Sequence, residues 1–287
     1  MRWIVIAYLL LVISSLSGCG PTSSPATFAQ PMQTRTETPQ QAFTQETNPI
    51  PTLLHSLDTG WQALRPGLER RVISIHDAQN AWVESLYILR LNPSDFRFDV
   101  AYDPNGKLLE NWELETDALI LVNGGYFREE NGKYIPNGLT IVNGKAMGTS
   151  YFGYGGMFAV TADGPEVRWL LQQPYQPGEY LLAGLQSFPM LVKPGGQIGF
   201  PPEKEDYQQA RRTVVAQDRS GHILFMIANQ GYFTLYQLSA YLSSSDLNLD
   251  TALNLDGGLS SGLLLSEPRE EIPAYNYLPV VIAVYPR

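Results

Sequence analysis

Phe96-Arg97-Phe98-Asp99-Val100-Ala101-Tyr102 sets Phe96, Phe98, Val100 and Tyr102 on one face and Arg97, Asp99 and Ala101 on the other, ahead of Asp103-Pro104-Asn105-Gly106. A period of two that ends in Asp, Pro, Asn and Gly reads as a half-buried strand and a tight turn. Outward from this stretch the pattern repeats. Residues 139–142 run into Asn143-Gly144, residues 157–161 and 166–171 flank Asp163-Gly164-Pro165, and residues 213–217 and 222–228 flank the turn at 218–221. Each reads as a hairpin. Helical spacing is scarce. Thr234 suits an N-cap before Leu235, Leu238, Tyr241 and Leu242 on one face, and residues 108–114 suit a shorter helix. Local strand pairing outweighs any alternation of strand and helix. The expected fold is therefore α+β: a single domain of mixed, largely hairpin-built β-sheets with few helices.

The N-terminus has a different character. Arg2 precedes an apolar run over residues 3–13, and small residues lead to Leu16-Ser17-Gly18-Cys19. The run falls short of the ~20 apolar residues that a spanning helix needs, so residues 1–18 read as a cleaved export signal. Leu16-Ser17-Gly18-Cys19 resembles a bacterial lipoprotein box, which implies lipid on Cys19 and a membrane anchor; the other reading is an ordinary signal with an incidental cysteine. Cys19 is the single cysteine of the chain, so an intramolecular disulfide is excluded. Residues 19–52, rich in Pro, Thr, Gln and Ser, offer too little apolar surface to offset the entropy of ordering and read as a tether. Residues 53–287 are long enough for a sizeable core without disulfide staples. The formal net charge of −9 disfavours nucleic acid and anionic lipid headgroups as partners. A phosphate-bearing ligand would then need one specific arginine rather than a basic face.

Three clusters carry chemistry. In the first, an apolar stretch at 118–122 runs into Asn123-Gly124-Gly125-Tyr126, where two glycines permit positive φ and exposed amides that suit an anion or a sugar hydroxyl. The same residues also suit a plain hairpin turn. In the second, residues 251–255 deliver Asp256 into Gly257-Gly258-Leu259-Ser260-Ser261, which places a carboxylate at a strand end for acid–base work or for a sugar hydroxyl. An Asx turn closed by Asp256 is equally consistent. The third is Arg211-Arg212-Thr213 before a strand. A guanidinium fork matches phosphate oxygens, although surface ion pairs would use the same residues. His55, His76 and His222 lack ligand spacing, so neither a zinc site nor a histidine-based triad is expected, and no metal or cofactor is expected at all.

In this order and spacing, VNGGYF (122–127), NGLTIVNGK (137–145), LQSFPMLV (185–192), RRTVVAQDRSGHILFMIA (211–228) and TALNLDGGLSSGL (251–263) resemble the phosphodiester glycosidase family. The resemblance implies hydrolysis of the bond between a sugar's anomeric carbon and phosphate. It implies Arg212, directly before Thr213, as the phosphate ligand and Asp256 as the catalytic carboxylate. Asn123, Gly124, Gly125, Tyr126, Gln186, Ser187, Thr213, Gly257, Gly258, Ser260 and Ser261 are implied to line the pocket. The chain departs from the family at Leu259, where a third glycine is frequent, at Phe188, where a Gly-Pro pair is frequent, and at 229–233. A second carboxylate stays open among Asp250, Asp99 and Glu84. The expected partners are a sugar-phosphodiester or polysaccharide substrate and, through Cys19, a membrane of the bacterial envelope. A carbohydrate-binding lipoprotein without turnover is the competing reading.

Overall fold

The computed structural model describes residues 56–150, 153 and 155–287. The export signal, the tether and Cys19 lie outside the described residues. The larger sheet has nine strands. Along it run Ser56–Asp58, Leu68–His76, Trp82–Leu91, Ile223–Ala228, Arg212–Asp218, Leu249–Asn254, Met190–Lys193 and Gln197–Ile198, with Gln62–Arg65 paired on Leu68–His76. A second sheet orders Lys145–Met147, Thr140–Val142, Ala183–Ser187, Gly156–Val160 and Pro165–Trp169. A third orders Arg269–Ile272, Leu263–Ser266, Ile120–Asn123, Leu278–Pro286 and Phe96–Lys107, and Phe127–Glu130 pairs with Lys133–Pro136 as a separate hairpin.

The expected hairpins form, including Arg212–Asp218 with Ile223–Ala228 and Gly156–Val160 with Pro165–Trp169. Two expectations need correction. Every pairing among the described strands is antiparallel, so the sheets are not mixed. The α+β description holds only in its coarse form, because the described residues carry just two α-helices, α1 (Leu109–Thr116) and α2 (Leu235–Ser244). The second correction concerns Asp103-Pro104-Asn105-Gly106, which does not end its strand. Asp103 accepts from the Asn105 amide at 2.8 Å, as turn chemistry dictates, but the strand continues to Lys107, which pairs opposite Leu278 across a register shift. The local signal makes a bulge because the long partner strand Leu278–Pro286 supplies ladder bonds on both sides of it.

One aromatic ring from each sheet meets at the centre. Phe98, Phe158 and Phe225 lie with ring centroids 6.2–6.5 Å apart and exclude solvent. Helix α2 covers the other face of the large sheet through Leu238 and Leu242, and Thr234 caps it, its hydroxyl accepting from Gln237 N while the Gln237 side chain accepts from Thr234 N. Helix α1 covers the third sheet through Leu109 and Trp112, whose indole donates to Leu278 O at 2.9 Å. Packing three sheets around one core brings four strand termini to one place: the ends of Ile120–Asn123, Leu249–Asn254 and Ala183–Ser187, and the start of Arg212–Asp218.

Candidate active site

Asn123 ties the end of its own strand to the start of Arg212–Asp218 and to the Asp256 turn. Its Oδ1 accepts from the Thr213 hydroxyl at 2.8 Å and from Gly262 N at 3.0 Å, and its Nδ2 donates to Asp256 O at 2.8 Å. A single buried amide thus fixes three segments, and Thr213 is consumed in the same knot. The amides expected to face an anion behave differently from one another. Gly124 N donates to Val280 O at 2.8 Å, whereas Gly125 N–H has no partner among the described residues. Neither glycine has positive φ. Gly124 is required for close approach, since a Cβ there would sit 2.7 Å from Val280 Cγ1.

The Asp256 turn stands on the Gly124 carbonyl, which accepts from Asp256 N at 3.0 Å. Gly257 N donates to the Asp256 carboxylate at 2.9 Å, but the N–H two residues on, which an Asx turn would use, donates to Arg211 O instead, so no Asx turn closes here; the Ser260 side chain also favours the charged carboxylate. A Cβ at Gly257 would lie 2.8 Å from Arg211 O, and Gly258 has a φ of +61°, so the turn needs both glycines to fit under the arginine pair. Burial pushes the Asp256 carboxyl up to about 6, with the Ser260 and Gly257 hydrogen bonds only partly opposing it. No basic side chain relieves that burial.

Arg212 is the complementary case. It is 6 % exposed, its Nε donates to Phe233 O at 3.3 Å and its Nη2 to Gln208 O. Burial lowers its pKa, and Tyr126, Asp206 and Glu205 are the titratable groups that bear on it. Among the described residues no carboxylate forms an ion pair with it. Two carbonyls therefore aim the guanidinium and leave Nη1 without an acceptor among the described residues. Arg212, the buried first residue of its strand, and the half-buried Asp256 carboxylate meet near Gly257, where a Cβ would lie 4.0 Å from Arg212 Cδ, yet neither neutralises the other. Unpaired buried charges cost several kcal/mol each, so such an arrangement is kept where a ligand completes it.

Around this pair, the Tyr126 and Phe188 rings stack with centroids 4.5 Å apart, and Asn254 Nδ2 donates to the Tyr126 hydroxyl at 2.8 Å and to Phe188 O at 3.0 Å. Gln186 Nε2 donates to the Ser150 hydroxyl at 2.9 Å. Ser187 and Ser261 are fully buried, and their hydroxyls, like Asn254 Oδ1, are enclosed without a partner. The three carboxylates left open by the sequence are occupied in other ways. Glu84 takes the amides of Ser85, Gln230 and Tyr232 and so shapes the loop at 229–233, Asp250 accepts from Gly195 N, and Asp99 lies against Arg97 and Val100 N.

Sequence reasoning passed over Asn254, the carbonyls of Gln208 and Phe233, and the acidic pair Glu205-Asp206. A lone amide within the otherwise apolar Ala252-Leu253-Asn254-Leu255 was a legible sign for the first. Nothing local marks the others, because long-range packing brings them to Arg212. Among the described residues no cluster of three or more His, Cys, Asp or Glu side chains could hold a metal ion. A cavity of about 570 Å³ lined by Arg65, Arg90 and His222 includes none of these residues; Arg90 is paired with Glu69 and His222 with Asp218.

The phosphodiester glycosidase family model matches residues 116–285, more than half of the chain and the stretch that carries both Arg212 and Asp256. Among solved structures, the catalytic domain of zebrafish N-acetylglucosamine-1-phosphodiester alpha-N-acetylglucosaminidase, auto-inhibited by its pro-peptide, is 19 % identical with a TM-score of 0.62, over 81 % of this chain and 88 % of that one. A putative exported protein of Burkholderia pseudomallei is 11 % identical with a TM-score of 0.60, over 81 % of this chain and 97 % of that one. A hypothetical protein from Synechocystis is 13 % identical with a TM-score of 0.55, over 79 % of this chain and 63 % of its own. At these identities the likeness is one of fold. No curated protein sequence matches this chain. By the extent of the family match, the chain belongs to the phosphodiester glycosidase family.

Proposed function

We propose that this protein hydrolyses the bond between a sugar's anomeric carbon and phosphate in a sugar-1-phosphodiester of an envelope or extracellular glycoconjugate. The observation that carries this reading is a buried guanidinium with no ion-pair partner among the described residues, Arg212, beside the half-buried Asp256 carboxylate, on which no basic side chain acts. The free Nη1 of Arg212 receives a phosphate oxygen. Phosphate is a better leaving group than a sugar alkoxide, so charge on the departing oxygen is met by the guanidinium rather than by a strong acid. Asp256, ionised above about pH 6, takes a proton from the water that attacks the anomeric carbon as oxocarbenium character develops. The carbon–oxygen bond breaks, and a free sugar and a phosphomonoester leave. The stacked Tyr126 and Phe188 rings give an apolar wall for the sugar face, and Gly125 N–H, Gln186 and Ser260 supply polar contacts. The lipoprotein-like Leu16-Ser17-Gly18-Cys19 supports an envelope location with lipid on Cys19.

The test is a panel of sugar-1-phosphodiesters, α-linked N-acetylglucosamine first, with released sugar followed for wild type, Arg212→Lys and Asp256→Asn. Release by wild type that both variants lose supports the assignment. Saturable binding of the diesters with no release by wild type overturns it in favour of a carbohydrate-binding protein.

A further inference from the structure

Arg211 carries a second charge that the Arg212–Asp256 pair does not use. Its Nε and Nη2 donate to Asn229 Oδ1 at 3.2 and 2.9 Å, and Nη2 also donates to Pro273 O at 3.0 Å, all neutral acceptors. Its Nη1 is enclosed and has no acceptor. It forms no ion pair among the described residues, and Glu84, the carboxylate nearest in effect, has its oxygens engaged by the backbone amides of Ser85, Gln230 and Tyr232. In a chain with nine more negative than positive charges, a half-buried guanidinium held only by neutral oxygens is a costly placement. Its position is tied to the turn: Arg211 O accepts from Gly258 N at 2.8 Å, two residues past Asp256.

The guanidinium also lies 5.0 Å from the ring centroid of Tyr275, a ring 64 % exposed to solvent. The Tyr275 and Asn276 amides donate to Leu259 O at 2.7 and 3.2 Å, and Asn276 Nδ2 reaches the Ser260 hydroxyl at 3.4 Å. An open aromatic face beside an uncompensated cation is therefore joined to the Asp256 turn through two backbone bonds and one side-chain bond. Such a face suits the apolar side of a sugar ring, and the cation suits the anion attached to it.

We propose that Arg211 and Tyr275 form a second subsite, which holds the next phosphate and the intervening sugar of a polymer whose sugars are joined through phosphates. The inference rests on the reading of Arg212 and Asp256 as a phosphodiester site. One repeating linkage places an anion on both sides of each sugar, and the two arginines are adjacent in sequence where the strand Arg212–Asp218 begins, next to the Asp256 turn.

The experiment compares the full-length protein in detergent on two substrates: a methyl diester of a sugar 1-phosphate, with one phosphate, and a two-repeat oligomer with two. The ratio of kcat/KM, oligomer over methyl diester, is expected to be tenfold or more for wild type and to fall close to one in Arg211→Gln and Tyr275→Ala, with melting temperatures unchanged. A wild-type ratio near one, or a ratio that Arg211→Gln leaves intact while lowering both rates, overturns the subsite. If neither compound is hydrolysed, the catalytic reading fails and calorimetric binding of the same two compounds decides the subsite separately. Tenfold tighter binding of the oligomer that is lost in Arg211→Gln supports it, and equal binding overturns it.

Discussion

At the scale of single residues, two side chains define the account, and both were legible as residue types. The strand-end position of Asp256 and the arginine before Thr213 stand in the sequence; what no spacing reveals is that Arg212 is buried with no ion-pair partner among the described residues and that Asp256 is half-buried with no basic side chain acting on it. Burial is a sum over distant segments, here 205–208, 230–233 and 123–126. It has a measurable consequence. A carboxyl raised from 3.8 to about 6 disfavours the folded state by up to ~3 kcal/mol once both states are ionised. The folded pKa lies above the unfolded one, so stability is lost as pH rises from about 4 through about 6. Asp256→Asn is accordingly expected to be more stable than wild type by about 1–3 kcal/mol at pH 8, and the difference should close below pH 4; urea unfolding at the two pH values checks it. The same titration governs catalysis: kcat/KM should rise with pH through about 6 and level off above it. A rate that falls through that range would make Asp256 a proton donor instead. Arg212→Lys keeps the charge but loses the planar fork aimed by the Phe233 and Gln208 carbonyls, and should cost 100-fold or more in kcat/KM with unchanged circular dichroism.

At the scale of elements, turn and strand signals read well where pairing is local and poorly where it is not. The hairpin Arg212–Asp218 with Ile223–Ala228 and the capped helix α2 follow from residues a few positions apart. The bulge at Asp103–Gly106 has all the local marks of a turn, and only the distant strand Leu278–Pro286 decides otherwise. The same limit applied to Asn123, whose sequence context suits a ligand contact. Its amide instead joins the ends of Ile120–Asn123 and Arg212–Asp218 to the Asp256 turn. Asn123→Ala strands the Thr213 hydroxyl, Gly262 N and Asp256 O in a buried place, at roughly 1–3 kcal/mol for each group left unsatisfied. A loss of about 3 kcal/mol or more in urea unfolding is expected; a loss under 1 kcal/mol would mean the knot contributes little.

At the scale of the whole molecule, the site exists because three sheets share one core and their strands end together. Phe158→Ala, at the meeting point of the Phe98, Phe158 and Phe225 rings, should cost about 3–5 kcal/mol, read from denaturant midpoints. The sequence shows strands and their faces but not which sheets converge, since that depends on pairings such as Ile223–Ala228 with Trp82–Leu91 across more than a hundred residues. The central claim concerns which bond is broken. Hydrolysis of a sugar-1-phosphodiester in ¹⁸O-water, with products weighed by mass spectrometry, tests it most directly. Attack at the anomeric carbon places the heavy oxygen in the released sugar and none in the phosphomonoester; heavy oxygen in the phosphate would contradict the account and make the protein a phosphodiesterase.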